Sequence, residues 1–247
     1  MGLFPQIDQV PTVTTAQMVE VDRAMIEDFQ IELIQMMENA GRNLAHLARH
    51  RFFDGDPIDK RIVVLAGTGG NGGGALVCAR RLHNWGAKVN VFLTKPADAF
   101  RPIPAHQLNI LQRMQLPIAS ADKISELDPG IDLIIDGIIG YSLAGAPRGM
   151  AAHLIRWTNL QEIPILALDT PSGLDTTTGT HFDPAIQATA TMTLALPKEG
   201  LLNPEIADRV GELYLADISV PPELYNQPDL NLPVGPIFAE NDIVRIK

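Results

Sequence analysis

Apolar residues recur along this chain with two different periods, and the change of period marks its elements. After Thr14, whose hydroxyl can cap a helix start, Met18, Val21, Met25 and Ile26 fall at helical spacing. A second helix is predicted over residues 31–49, with Leu33, Met36, Met37, Ala40, Leu44 and Leu47 on one stripe. The turn Asp54-Gly-Asp-Pro57 separates these helices from Arg61-Ile-Val-Val-Leu-Ala66, an unbroken apolar run of strand length. From there strands and helices alternate. Strands are predicted at 62–66, 89–94, 133–136, 165–169, 190–195 and 212–216, and helices at 73–85, 104–114, 150–159 and 184–187. That alternation predicts an α/β fold: a doubly wound, mainly parallel Rossmann-like sheet with helices on both faces, preceded by an N-terminal two-helix extension. A single domain is expected over 1–247, with its core at about 14–219. The proline-rich tail, 220–247, is expected to wrap the domain as coil and to end in an edge strand at 242–247.

In open sheets of this kind the ligand crevice lies beyond the carboxyl ends of the strands, where the strand order reverses. Three segments follow predicted strands directly. The first is the glycine loop Gly67-Thr-Gly-Gly-Asn-Gly-Gly-Gly74, in which Gly67, Gly69 and Gly72 satisfy G-x-G-x-x-G between a strand and a helix. Its peptide N–H groups can approach an anion closely, and a helix start adds favourable partial charge. An ordinary dehydrogenase site does not fit, because the second strand ends near Thr94-Lys95 and not on a ribose-binding acid. A Walker loop is also absent, since no Gly-Lys-Ser/Thr follows. The alternative is a merely tight strand-helix turn.

The second segment opens at Asp136, which closes the apolar run Ile131-Asp-Leu-Ile-Ile-Asp136. Asp136 is either a solvated or loop-capping carboxylate, or the charge that holds a cation with Asn71 and Ser172 as neutral oxygen ligands. One carboxylate among carbonyl and hydroxyl oxygens suits a hard, low-charge ion better than zinc. The third segment is Asp169-Thr-Pro-Ser-Gly-Leu-Asp175, where Asp169 is the acid/base candidate at the end of an apolar strand. Its bland alternative is a strand-end acid bonded to its own loop. Lys198, within Leu194-Ala-Leu-Pro-Lys-Glu-Gly-Leu201, points either inward beside that acid or into solvent.

Composition narrows the ligand. With 46% hydrophobic and 19% charged residues the chain is an ordered globule, and a net charge of -10 argues against nucleic acid or an anionic membrane as partner. Cys78 is the only cysteine, so neither an intramolecular disulfide nor a cysteine zinc site can form. No apolar stretch reaches membrane-spanning length and the start lacks a leader pattern. A soluble, unprocessed, cytoplasmic protein is expected.

At these residues the chain resembles the NAD(P)H-hydrate epimerase family, also called the YjeF N-terminal domain, from Thr14 to about Ser219. The shared segments, in family order, are Met37-Glu-Asn-Ala-Gly41, Gly67-Thr-Gly-Gly-Asn-Gly-Gly73 with Ala79-Arg80 behind it, Asp136-Gly-Ile-Ile-Gly140, Leu168-Asp-Thr-Pro-Ser-Gly-Leu-Asp175 and Pro197-Lys-Glu-Gly-Leu201. The resemblance implies an isomerase of nicotinamide cofactor repair that interconverts the R and S epimers of hydrated NADH or NADPH. It implies a potassium ion held by Asn71, Asp136 and Ser172, with Asp169 and Lys198 as the catalytic pair. Substrate would lie against Gly70, Asn71, Gly72, Gly73 and Gly74, against Gly140, Tyr141, Ser142, Leu143, Ala144, Gly145 and Ala146, and against Asp169. It further implies an NAD(P)H-hydrate dehydratase as functional partner, expected as a separate chain, and a homodimer. The chain departs from the family pattern at Gly70, Gly74 and Ala75 in the first loop and at Tyr141, Ser142 and Gly145 in the second. The alternative reading is a non-catalytic nucleotide-binding or protein-interaction module on the same scaffold.

Overall fold

The computed structural model describes residues 4–246. Met1, Gly2 and Leu3, where no leader is expected, and Lys247 of the expected terminal strand, lie outside the described residues. Along the chain the elements are β1 (Gln6–Ile7), α1 (Thr15–Glu27), α2 (Leu33–Phe52), β2 (Arg61–Ala66), α3 (Gly70–Asn84), β3 (Lys88–Leu93), α4 (Pro102–Arg113), β4 (Ile118–Ser120), β5 (Leu133–Gly137) and α5 (Gly149–Asn159). They continue with β6 (Ile165–Leu168), β7 (Leu174–Asp175), β8 (Thr180–His181), β9 (Ala190–Leu194), α6 (Ala207–Val210), β10 (Glu212–Ala216), α7 (Pro222–Tyr225) and β11 (Ile243–Ile246).

Among the described residues, nine strands form one sheet in the order β1-β11-β10-β9-β6-β5-β2-β3-β4, and β7 with β8 makes a small antiparallel hairpin. Every neighbouring pair from β10 across to β4 is parallel. From β2 the chain winds outward through β3 to β4, then returns to β5 on the other side of β2 and winds the opposite way. The order therefore reverses between β2 and β5, which places the ligand crevice at their carboxyl ends.

The unbroken apolar run of β2 has a direct cause: both faces of the strand are covered. Ile62, Val64 and Ala66 pack with Leu44 and Leu47 of α2, Leu76 of α3 and Leu108 of α4, while Val63 and Leu65 pack with Leu154 and Ile155 of α5. Helix α1 starts as its sequence predicts, because Thr14 accepts from the Gln17 amide at 3.1 Å and Gln17 returns a side-chain oxygen to the Thr14 amide at 2.9 Å. Its buried face, Met18, Val21, Ala24 and Met25, packs on Leu224 and Tyr225 of the tail.

Two expectations are corrected. No helix forms at 184–187. The backbone there is bonded outward instead: Ile186 N–H to the Ser172 carbonyl at 2.8 Å, Gln187 N–H to Asn159 Oδ1 at 3.1 Å, and the Ala185 carbonyl to Asn159 Nδ2 at 2.8 Å. The terminal strand is not at the edge. β11 lies between β10, to which it is antiparallel, and the two-residue β1, which forms the edge. Both β1 and β4 are too short for a periodic signal, and neither was predicted.

Candidate active site

The segments after β2, β5 and β6 meet at one cleft of about 520 Å³. Its floor is the glycine loop, from Gly67 to Asn71, at the start of α3. A side chain at Gly72 would put its Cβ 1.8 Å from the Gly67 carbonyl oxygen, so only glycine lets the helix start turn back so tightly. Gly70 is different, since nothing lies within 4 Å of the same position there and the loop is open to the cleft. Gly72, Gly73 and Gly74 are buried behind the loop, with Gly73 facing Met37 and Gly74 facing Leu168.

Asp136 and Ser172 come together behind the cleft. Asp136 is completely buried at the end of β5, where Oδ1 accepts from Ser172 Oγ at 2.6 Å and from the Ile138 amide at 3.1 Å, and Oδ2 accepts from the Ser172 amide at 2.8 Å. Burial pushes its carboxyl up to about 6, against the opposing pull of the Ser172 bonds and the Ile138 bond. Asn71 lies on the cleft side and donates Nδ2 to the Leu168 carbonyl at 3.0 Å, which leaves its Oδ1 without a donor among the described residues. An all-oxygen set with a single carboxylate fits a hard monovalent cation and does not fit zinc.

Asp169 sits where the chain leaves β6 with a left-handed φ of 65°, a strained choice for a residue with a Cβ. The turn is fixed by the Asp169 amide, which donates to the Met192 carbonyl at 2.7 Å. It carries the carboxylate out of the strand line and onto Lys198. The Lys198 ammonium is fully buried and donates to Asp169 Oδ1, to the Leu194 carbonyl at 3.1 Å and to Thr193 Oγ1 at 3.3 Å, so all three of its protons have acceptors. The inward alternative for Lys198 is the one observed. The other oxygen of Asp169 accepts from the Tyr141 amide at 3.3 Å.

Of the second loop, Gly140, Tyr141 and Ser142 line the cleft, whereas Leu143, Ala144, Gly145 and Ala146 do not. The Tyr141 hydroxyl donates to Asp22 Oδ2 at 2.5 Å, and its ring lies 5.5 Å from the Lys198 ammonium. Burial raises the Asp22 carboxyl, with the Tyr141 bond and the Lys198 charge pulling the other way. Burial likewise pushes the Tyr141 phenol above its ordinary value, with the Asp22 charge adding to the rise. Sequence reasoning missed Asp22 and Arg101, both of which line the cleft. A signal for Asp22 existed: it falls four residues after Met18 and four before Ile26, a charged group on a face whose neighbours also line the cleft.

A doubly wound sheet with a glycine-rich helix start and a buried acid-lysine pair at its switch point defines an α/β protein with a nucleotide-type cleft. The particular family follows from comparison. Residues 33–200 match the family described as YjeF-related protein N-terminus, and the chain belongs to it. It is 38% identical over 233 residues to the NAD(P)H-hydrate epimerase of Dehalogenimonas lykanthroporepellens, covering 93% of this chain and 91% of that one. It is 39% identical over 219 residues to the bifunctional NAD(P)H-hydrate repair enzyme Nnr of Moorella thermoacetica, covering 86% of this chain but 41% of that one. The crystal structure of yeast ynu0 superposes with a TM-score of 0.81 at 25% identity, covering 96% of this chain and 100% of that one.

Proposed function

We propose that this chain is an NAD(P)H-hydrate epimerase, interconverting the R and S epimers of hydrated NADH or NADPH. The observation that carries the reading is the contact of Lys198 with Asp169 at the inner wall of a cleft whose floor is the glycine loop. The names of two relatives, from Dehalogenimonas lykanthroporepellens and Entamoeba histolytica, support it, because each aligns over more than nine-tenths of both chains.

The substrate diphosphate takes the peptide N–H groups at the start of α3, where partial positive charge and the absence of side chains at Gly69 and Gly70 favour an anion. The hydrated ring then lies toward Asp169. Asp169 delivers the proton it shares with Lys198 to the ring hydroxyl, the C–O bond breaks, and water leaves a planar iminium-like carbon. A water molecule adds to the opposite face and returns its proton to the Asp169–Lys198 pair, so one water is lost and one gained. Asn71, Asp136 and Ser172 would hold a potassium ion, which supplies a fixed positive charge beside the two loops. Gly140, Tyr141 and Ser142 wall the ring side. An NAD(P)H-hydrate dehydratase, which consumes the S form, is the functional partner.

The test is a coupled assay of R-enriched hydrated NADPH with an S-specific dehydratase. Wild-type protein should bring repair of the whole mixture to a rate well above spontaneous epimerisation, and Asp169→Asn should remove that acceleration while leaving the melting curve cooperative. Wild-type repair no faster than the spontaneous rate would refute the reading.

A further inference from the structure

Beyond Ile139, which is bonded to Ser172 Oγ at 2.9 Å, the loop after β5 is hydrogen-bonded to the rest of the molecule at a single residue. From Ser142 to Pro147 no hydrogen bond ties it to anything among the described residues, but every polar group of Tyr141 is engaged. Its amide donates to Asp169 Oδ2 at 3.3 Å, its carbonyl accepts from Thr176 Oγ1 at 3.1 Å, and its hydroxyl donates to Asp22 Oδ2 at 2.5 Å. Two of these anchors lead back to α1, which carries Asp22 and, at its first residue, Thr15, whose hydroxyl lies 3.0 Å from Thr176 Oγ1.

The chemistry of the contact is uneven in a useful way. A phenol bonded to a partly buried carboxylate is a strong, charge-assisted bond. An amide at 3.3 Å from a carboxylate is at the long end of the useful range and depends on the loop staying where it is. Holding the hydroxyl therefore holds the amide. The same placement sets the Tyr141 ring beside the Lys198 ammonium, where an aromatic face favours the cation and keeps water from one side of the ion pair.

We infer that Tyr141, anchored by Asp22 of α1, is a positioning residue that aims the Asp169 carboxylate and covers Lys198, which makes the amino-terminal helix a working part of the active site. The inference rests on the epimerase reading for its kinetic consequence, but the latch itself is a statement about structure. Tyr141→Phe removes only the hydroxyl and keeps the ring. Asp22→Ala removes the acceptor, and Asp22→Asn keeps an acceptor oxygen in the same place.

The experiment combines steady-state epimerase kinetics with amide hydrogen exchange at residue 141 in the full chain. Tyr141→Phe and Asp22→Ala should each lower kcat about tenfold, the equivalent of roughly 1.4 kcal/mol in the barrier, with KM changed less than about twofold. The double variant should be no worse than the weaker single one, because both remove one interaction. Asp22→Asn should recover most of the loss. In both damaging variants the residue 141 amide should exchange about tenfold faster or more, with the β2 and β5 amides unchanged. Additive losses, a change confined to KM, or an amide exchange rate equal to that of wild type would overturn the latch. A wild-type chain without epimerase activity would remove the function proposed above, and hydrogen exchange alone would then decide the latch; should Asp22→Ala fail to fold, Tyr141→Phe against Asp22→Asn carries the same comparison.

Discussion

At Gly72 the backbone of the loop closes on itself, and at Gly70, two residues earlier, it faces open cleft. Gly72→Ala should cost about 3 kcal/mol in chemical denaturation, because the clash is with backbone that cannot swing aside. Gly70→Ala should be neutral or stabilise by about 0.5 kcal/mol, since it begins a helix and has room. Equal losses at both positions would contradict the packing described. Lys198 makes a second residue-scale prediction. Lys198→Met leaves Asp169 buried without its partner and should cost about 3 kcal/mol or more, whereas Lys88→Met, in an exposed pair with Asp59, should cost well under 1 kcal/mol. Urea midpoints of the two variants check both. Asp169 was legible in the sequence as an acid ending an apolar strand, but its left-handed backbone was not, because a positive φ at aspartate leaves no mark in periodicity.

At the scale of elements, α2, α3 and α4 are joined by Glu38, which accepts from Arg80 at 2.6 and 2.7 Å and from Gln107 at 3.1 Å. Burial alone would raise its carboxyl, but the Arg80 bonds and charge, with Gln107 and Arg81, outweigh it and hold the group below its ordinary 4.5. A carboxylate depressed in the folded state contributes stability that is present above 4.5 and is lost as the pH falls through the lower folded value. Glu38→Gln should therefore destabilise by about 1 kcal/mol at neutral pH, with the gap to wild type closing on acidification below 4.5. A gap independent of pH would assign the loss to packing. The long elements were readable because their two-sided or striped burial writes a period into the sequence, as β2 and α2 show. The segment 184–187 misled because its apolar Ala185 and Ile186 are buried as coil, with their backbone bonded to Asn159 and Ser172, contacts made across sequence distance. Strands β1 and β4 are defined by what they pair with, and two or three residues carry no pattern of their own.

For the whole molecule, the reversal of strand order between β2 and β5 gathers loops that are about a hundred residues apart into one cleft. The glycine loop, Asp136 and Ser172 were placed together by sequence position after strands, and that rule worked because the sheet is parallel throughout its centre. It could not find Asp22 or Arg101, which reach the cleft from outside those three loops. If Asn71, Asp136 and Ser172 hold a monovalent cation, potassium should raise the melting temperature more than lithium at equal ionic strength, and Asp136→Asn should erase the difference. No preference in the wild type would count against that site.

In the proposed mechanism, epimerisation passes through loss and re-addition of water at Asp169. This is tested most directly by incubating the purified R epimer of hydrated NADPH with the protein in ¹⁸O-labelled water and separating the epimers for mass measurement. The S epimer should form faster than in a protein-free control and carry the label in its ring hydroxyl, with Asp169→Asn matching the control. An S epimer that forms no faster than the control, or forms faster but without label, would contradict that mechanism.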